Sequence, residues 1–362
     1  MSKQKTNQPS CYAMVQPGLE KIAGEEIRQS LDGDVKRAAK GIIVFRAPEI
    51  DESLLQLRTV EDVFLLAWGT DKLTFRAEDL EHIRRWTAKD VNWDSLLSIH
   101  HTLRPKPKGK PSYRLVTQMS GTHAYRRMEA GKALAKGLAG KLPASWRFAD
   151  ENASVEIWLT INGTTAVCGL RLSDRTMRHR TYKSEHLPAS LRPTVAAAMV
   201  RLAELKPRQV LLDPMCGAGT ILAEQLALGL HDKGAKVRVI GGDIDLSALK
   251  VAEVNLRPVG RGHLVRWDAR QLPLADKSVD AIASNPPFGV QLGEPEEMGP
   301  LYRRALKEYN RVLRPGGRAV LLVADYAALK EAALKVGWSS LRHLQVRVLG
   351  QKATMSAWHK GT

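Results

Sequence analysis

The run Val210-Leu211-Leu212-Asp213-Pro214-Met215-Cys216-Gly217-Ala218-Gly219-Thr220 decides the fold of the C-terminal half. Three apolar residues ended by Asp-Pro and two glycines read as a buried strand that turns tightly into a helix. Outward from it, strand-like and helix-like stretches alternate. A helix over Ser190–Leu205 precedes it, and Val237–Ile240, Leu246–Leu256, Val279–Ala283, Leu301–Leu313, Ala319–Val323 and Tyr326–Val336 follow. Two strand-like runs, near Leu344–Leu349 and Ala353–Trp358, close the chain. This alternation predicts an α/β domain with a mostly parallel, doubly wound sheet that binds ligands at the carboxyl ends of its strands.

The turn itself narrows the ligand. Leu222 stands where a dinucleotide fingerprint needs its third glycine, so a diphosphate site is not supported. Asp213 at the strand end is unfavourable to phosphate and favourable to a cation. S-adenosylmethionine, with its ammonium and sulfonium, suits a carboxylate followed by glycines. The next strand ends in Gly241-Gly242-Asp243, and an acid there can take both ribose hydroxyls of an adenosine. Asp268, in Arg266-Trp267-Asp268-Ala269, follows a third strand-like run and can accept from the adenine amino group. Any one of these acids alone reads as a loop Asp or a helix cap. Three at successive strand ends read as a cofactor site.

A fourth strand, Val279–Ala283, runs into Ser284-Asn285-Pro286-Pro287-Phe288-Gly289. Two prolines fix the backbone and remove two N–H groups, which leaves outward carbonyls. Such a turn can hold a planar ring that carries an exocyclic NH₂. Phe288 stacks on the ring, and Asn285 Oδ1 and the Pro286 carbonyl accept the two amino protons. The plain alternative is a proline-rich turn with a buried Phe. No cysteine lies in or near this turn, which excludes 5-methylcytosine chemistry with its thiolate nucleophile.

The front half has a different rhythm. Cys11–Val15, Gly41–Phe45 and Val63–Trp68 read as strands and Gly18–Leu31 as a helix, which makes a first α+β unit over 1–70. Phe75–Thr102 has helical spacing and a Pro/Lys/Gly loop ends it. A strand at Tyr113–Gln118, a helix over Ala124–Leu142 and a hairpin of Val155–Ile161 with Thr165–Leu172 around Asn162-Gly163 complete a second α+β unit, 71–172. Residues 173–188 read as a linker and 189–362 as the α/β domain. The 362 residues carry a formal +17, and the window 101–190 alone holds 16 Lys+Arg against 6 Asp+Glu. Arg104, Lys106, Lys108, Lys110, Arg126, Arg127, Lys132 and Lys136 form a basic patch. Charge alone leaves open a polyanion partner and a solvated face. No stretch is long and apolar enough for a membrane span, and Cys11, Cys168 and Cys216 make neither a disulfide framework nor a metal motif. A reducing cytoplasm is expected.

Asp-Pro-x-Cys-Gly-x-Gly-Thr, the downstream acids and Asn-Pro-Pro-Phe together resemble the Rossmann-like S-adenosylmethionine-dependent methyltransferases that modify exocyclic amino nitrogens. The whole chain resembles the THUMP-domain tRNA guanine-N2-methyltransferases that act on guanosine 6 of the acceptor stem. The resemblance covers 174–362 specifically and about 70–172 by order and charge. Arg180-Thr181-Tyr182-Lys183 and Pro188-Ala189-Ser190-Leu191-Arg192-Pro193 look like this family's entry into its catalytic domain. The resemblance implies a ferredoxin-like unit at 1–70 and a THUMP unit at 71–172 that grips the 3′ end of tRNA. It implies an S-adenosylmethionine site of Leu191, Asp213, Pro214, Cys216, Gly217, Gly219, Asp243, Asp268, Ala269 and Asn285, a catalytic turn of Asn285, Pro286, Pro287 and Phe288, no metal, and a monomer. Guanine-N2 methylation of ribosomal RNA, adenine-N6 methylation and a non-catalytic RNA-binding module are the alternatives.

Overall fold

The computed structural model describes residues 9–105, 109–188, 190–231, 237–288, 295–348 and 350–362. The chain divides into two compact units, one of residues up to Val15 with Ala23–Met177, the other of Gln16–Ile22 with Arg178–Thr362.

In chain order the first half runs β1 (Cys11–Met14), α1 (Glu20–Leu31), β2 (Asp34–Ala39), β3 (Ile42–Arg46), β4 (Asp62–Thr70), α2 (Glu78–Lys89), α3 (Trp93–Leu103), β5 (Ser112–Ser120), α4 (Arg127–Leu138), β6 (Arg147–Phe148), β7 (Val155–Asn162), β8 (Thr165–Arg171) and α5 (Arg175–His179). The strands form one eight-stranded sheet, in the order β2-β3-β1-β4-β8-β7-β5-β6. Strands of 1–70 and of 71–172 thus share a sheet. Its seam is the antiparallel pair β4–β8, from Phe64 opposite Arg171 to Thr70 opposite Ala166. Polar groups secure that seam from one end. Asp62, fully buried, accepts from Arg171 Nη2 at 2.6 Å and from Ser173 Oγ at 2.9 Å, and Arg171 Nη1 reaches Glu156 at 2.9 Å. A buried carboxylate is tolerated only when it is so paired. The helical stretch expected over Phe75–Thr102 is two helices, because Asn92 accepts from Ser95 N–H and caps α3 anew.

The second half runs α6 (Pro193–Ala203), β9 (Val210–Asp213), α7 (Thr220–His231), β10 (Arg238–Asp243), α8 (Leu246–Leu256), β11 (His263–Arg266), β12 (Val279–Ser284), α9 (Pro295–Val312), β13 (Leu313–Val323), α10 (Tyr326–Lys335), β14 (Trp338–Val348) and β15 (Gln351–Lys360). Its seven-stranded sheet has the order β11-β10-β9-β12-β13-β15-β14. β9 through β13 are parallel, and β15 and β14 close the sheet as an antiparallel hairpin. This is the Rossmann-like arrangement the alternation predicts. The chain's order reverses between β9 and β12, so a crevice opens where their carboxyl ends part. One face packs Leu212, Ile282, Leu321, Tyr302, Tyr309, Trp338 and Trp358, each at most 2% exposed. Burial of each such side chain contributes about 1.5 to 3 kcal/mol. Among the described residues no helix is long and apolar enough to cross a membrane. Cys11 and Cys168 are buried small side chains, and burial pushes the Cys11 thiol up to about 12.

Candidate functional site

At the carboxyl ends of β9, β10 and β12 lies a cavity of about 670 Å³, a volume suited to a nucleoside-sized ligand. Its lining brings together Leu191, Asp213, Pro214, Cys216, Gly217, Asp243, Asp268, Ala269, Asn285, Pro286, Pro287 and Phe288. Gly219 is not on that wall. A Cβ there would sit 2.6 Å from Leu256 Cδ1 and 3.0 Å from Ala252 Cβ, and its φ is +73°. This glycine therefore seats the turn on α8, and Gly217, with φ +49°, belongs to the cavity.

The three acids are held in different ways. Asp213 is 1% exposed and accepts from Ser284 Oγ at 2.8 Å and Met215 N–H at 3.3 Å. Burial pushes its carboxyl up to about 7, with the charge of Asp243 adding to the rise and the two hydrogen bonds opposing it. Asp243 accepts from Gly217 N–H on Oδ2 at 2.9 Å and from Asp245 N–H on Oδ1 at 3.0 Å. Each oxygen keeps a lone pair for a ribose hydroxyl. Asp268 is pinned by Arg270, whose Nη2 lies 2.6 Å from Oδ2, and this bond holds the carboxyl below its ordinary range. Cys216 is buried, and burial keeps its thiol protonated well above the ordinary value, so it offers no nucleophile.

The turn after β12 supplies the acceptors. Asn285 Oδ1 is buried and has no hydrogen-bond partner among the described residues. An amide oxygen left so, beside a residue without N–H, calls for a donor from a ligand. Pro286 is buried, and Pro287 and Phe288 are half-buried on the same wall. Gly289 lies outside the described residues.

Sequence reasoning missed the residues that brace these walls. Trp267 fills the space left by Gly242, where a Cβ would fall 2.0 Å from its ring, and its Nε1 donates to the Pro214 carbonyl at 3.0 Å. Leu187 and Pro188 of the expected linker line the cavity, next to Ser190 and the expected Leu191 of the domain that follows. Arg180 Nε and Tyr182 OH donate to the buried Glu224 of α7 at 3.1 and 2.7 Å. Asn255 of α8 accepts from Glu185 N–H and donates to Glu185 O and Ala218 O, each at 3.1 Å. The stretch is thus a fixed wall. Its advance signal is weak, since Glu224 and Asn255 share their helices with other polar residues such as Gln225, Lys250 and Glu253.

In the first unit, Lys110, Arg126, Arg127, Lys132 and Lys136 are exposed. Arg104 is partly committed, donating to Leu172 O at 2.7 Å and pairing with Asp174. Lys106 and Lys108 lie outside the described residues.

A doubly wound sheet with a glycine turn, successive strand-end acids and an Asn-Pro-Pro-Phe turn around one cavity defines an S-adenosylmethionine-dependent methyltransferase. Residues 180–353 match the RMKL-like methyltransferase domain, UPF0020. The tRNA (guanine(6)-N2)-methyltransferase of Thermus thermophilus is 30% identical over 340 residues, 92% of this chain and 94% of that protein. The tRNA (guanine(6)-N(2))-methyltransferase THUMP3 of Mus musculus is 32% identical over 227 residues, 58% of this chain and 44% of that protein. The crystal structure of TrmN from Thermus thermophilus superposes with a TM-score of 0.76 at 27% identity, over 97% of this chain and 99% of that one. The chain belongs to the tRNA guanine-N2-methyltransferase family.

Proposed function

We propose that the protein methylates N2 of guanosine 6 in the acceptor stem of tRNA. Asn285 Oδ1, a buried acceptor without a partner among the described residues on the wall of the cofactor cavity, carries the amino-group chemistry of this reading, and the guanosine-6 relative matched over 92% of the chain supports the base and the position. S-adenosylmethionine supplies an electrophilic methyl on a sulfonium, and its sulfur keeps the electron pair of the broken C–S bond. Asp213 faces the ligand's positive charge, Asp243 takes the ribose hydroxyls and Asp268 the adenine amino group. Leu191, Pro214, Cys216, Gly217 and Ala269 shape the wall around it, and Gly219 sets the turn.

A paired guanosine must leave its stem, at a cost that stacking on Phe288 partly offsets. Asn285 Oδ1 and the Pro286 carbonyl then accept the two N2 protons. These bonds localise a lone pair otherwise spread into the ring and aim it for in-line transfer. Pro287 keeps the turn rigid. The N–C bond forms from that lone pair, and the extra proton on N2 leaves to solvent, since an amide takes none. Arg126, Arg127, Lys132 and Lys136 grip phosphates toward the 3′ end, which sets the nucleotide that reaches the turn. The enzyme acts as a cytoplasmic monomer.

Unmodified tRNA incubated with the protein and S-adenosylmethionine tests this by nucleoside mass spectrometry. N2-methylguanosine mapped to position 6 is expected. N6-methyladenosine, or a product mapped elsewhere, overturns the assignment.

A further inference from the structure

The catalytic turn divides the cavity. On one side stand β9, β10 and β11 with the three acids; on the other the sheet continues through β13 to the β15–β14 hairpin. A methyl donor lodged over the acids meets its acceptor at the turn after β12, so the base lies toward the hairpin. β15 runs antiparallel to β13 and sets Thr354 opposite Val323, the last residue of β13. Gln351, which opens β15 before that pair, therefore overhangs the carboxyl edge of the sheet. It lines the cavity with Val348 and Leu301, and of these three only Gln351 carries a polar side chain. Among the described residues its amide makes no hydrogen bond.

The hairpin is braced beside it. Gln16 Nε2 donates to Arg347 O at 2.7 Å, and Arg192, next to the cavity residue Leu191, donates to Gln16 Oε1 at 3.1 Å. The approach is close enough that a Cβ at Gly18 would sit 2.0 Å from Gln345 O. These contacts brace the strand that pairs with the start of β15, and the Gln351 amide is left available to a ligand.

We propose that Gln351 determines specificity by reading the Watson–Crick edge of the flipped guanine, an inference that rests on the guanine-N2 reading. N2, N1 and O6 follow one another along that edge. With N2 held by Asn285 and Pro286, Gln351 Oε1 accepts from N1–H and Nε2 donates to O6. Adenine with its amino group in the same place presents a bare N1 and then a C–H, so neither bond forms as set for guanine and a flipped amide recovers only one. The amide thus favours guanine where the Asn-Pro-Pro-Phe turn alone accepts either amino group.

The test is single-turnover transfer to tRNA carrying guanosine or 2-aminopurine at the target position. 2-Aminopurine keeps the 2-amino group and lacks both N1–H and O6. The wild type should prefer guanosine by roughly 10- to 100-fold, the worth of two hydrogen bonds. Gln351→Ala should lose most of that preference by slowing guanosine alone, with the 2-aminopurine rate and S-adenosylmethionine affinity held, whereas Gln351→Glu, which still accepts from N1–H, should keep part of it. Equal slowing of both bases, or an unchanged guanosine rate, overturns the role of Gln351. A wild-type enzyme that methylates neither base at N2 overturns the guanine-N2 reading and this inference with it.

Discussion

Ser284 Oγ donates to Asp213 Oδ1 at 2.8 Å, joining the last residue of β12 to the last residue of β9 across the point where the sheet's order reverses. Both residues are buried, and the bond ties the strand that carries the Asn-Pro-Pro-Phe turn to the strand that carries the glycine turn. It also fixes a carboxyl whose proton is held unusually tightly.

That carboxyl makes cofactor affinity depend on pH. Burial pushes Asp213 up to about 7, so it is largely protonated at pH 6 before a cation binds. A ligand bearing a sulfonium and an ammonium favours the carboxylate and must expel that proton. Affinity for S-adenosylmethionine should therefore be full above about pH 8 and fall by up to about tenfold per unit as pH drops below 7. Calorimetry at pH 6, 7 and 8, in buffers of different ionisation enthalpy, reads both the slope and the proton released. Asp213→Asn should bind weakly and without that slope. A wild type with flat affinity from pH 6 to 8 rejects the prediction.

Asp243 holds the turn, and in the proposed reading it also takes the ribose hydroxyls of the ligand. Its carboxylate holds Gly217 N–H and Asp245 N–H, so Asp243→Ala removes the ribose acceptor and frees the glycine turn. Loss of these charge-assisted bonds should cost about 2 to 3 kcal/mol, roughly a 30- to 150-fold weaker affinity. Titration of a variant that keeps its circular dichroism and Tm checks this. Unchanged affinity removes Asp243 from the site.

The legible parts of the molecule are those whose signal is local. The turn at Asp213–Thr220 and the turn at Asn285–Phe288 each lie within one short stretch, where glycine, proline and an acid state the backbone and the chemistry together. β2, Asp34–Ala39, is a largely exposed edge strand in which Asp34, Lys36 and Arg37 stand beside Val35 and two alanines, so no apolar alternation marks it. The long β14 is buried at Trp338 and again only near Val346, and its middle is exposed, so its first half reads as loop. The pairing of β4 with β8 joins residues about a hundred apart, and the packing of Gln16–Ile22 with the C-terminal half is longer in range still. Neither leaves a trace in local composition. Asn255 and Glu224 were hidden for the same reason, since their partners lie dozens of residues away.

The basic patch is tested by reversing its charge. Arg126, Arg127 and Lys132 are exposed and lie in the first unit, away from every residue of the cofactor cavity in the chain. Their combined change to Glu should weaken tRNA binding and reduce its dependence on salt by about one phosphate contact for each residue that grips one. Affinity for S-adenosylmethionine should stay at the wild-type value. If tRNA affinity and its salt slope are both untouched, the patch serves solubility alone.

The last prediction separates chemistry from capture. Asn285 Oδ1 is positioned to accept from N2, and most contacts to a tRNA are made to phosphates elsewhere, so Asn285→Ala should leave tRNA affinity near wild type. The methyl-transfer step should slow by roughly 100- to 1000-fold, the cost of one preorganised polar contact in a site shielded from water. Phe288 offers a ring to the flipped base instead of a hydrogen bond. Phe288→Ala should combine a slower step with weaker capture of the target base, by about 1 to 3 kcal/mol of stacking. Single-turnover rates measured over a range of tRNA concentrations distinguish the two, because Asn285→Ala lowers the plateau and Phe288→Ala also shifts the half-saturation point. An Asn285→Ala enzyme with a wild-type plateau would take the acceptor role from Asn285 and leave it to the Pro286 carbonyl.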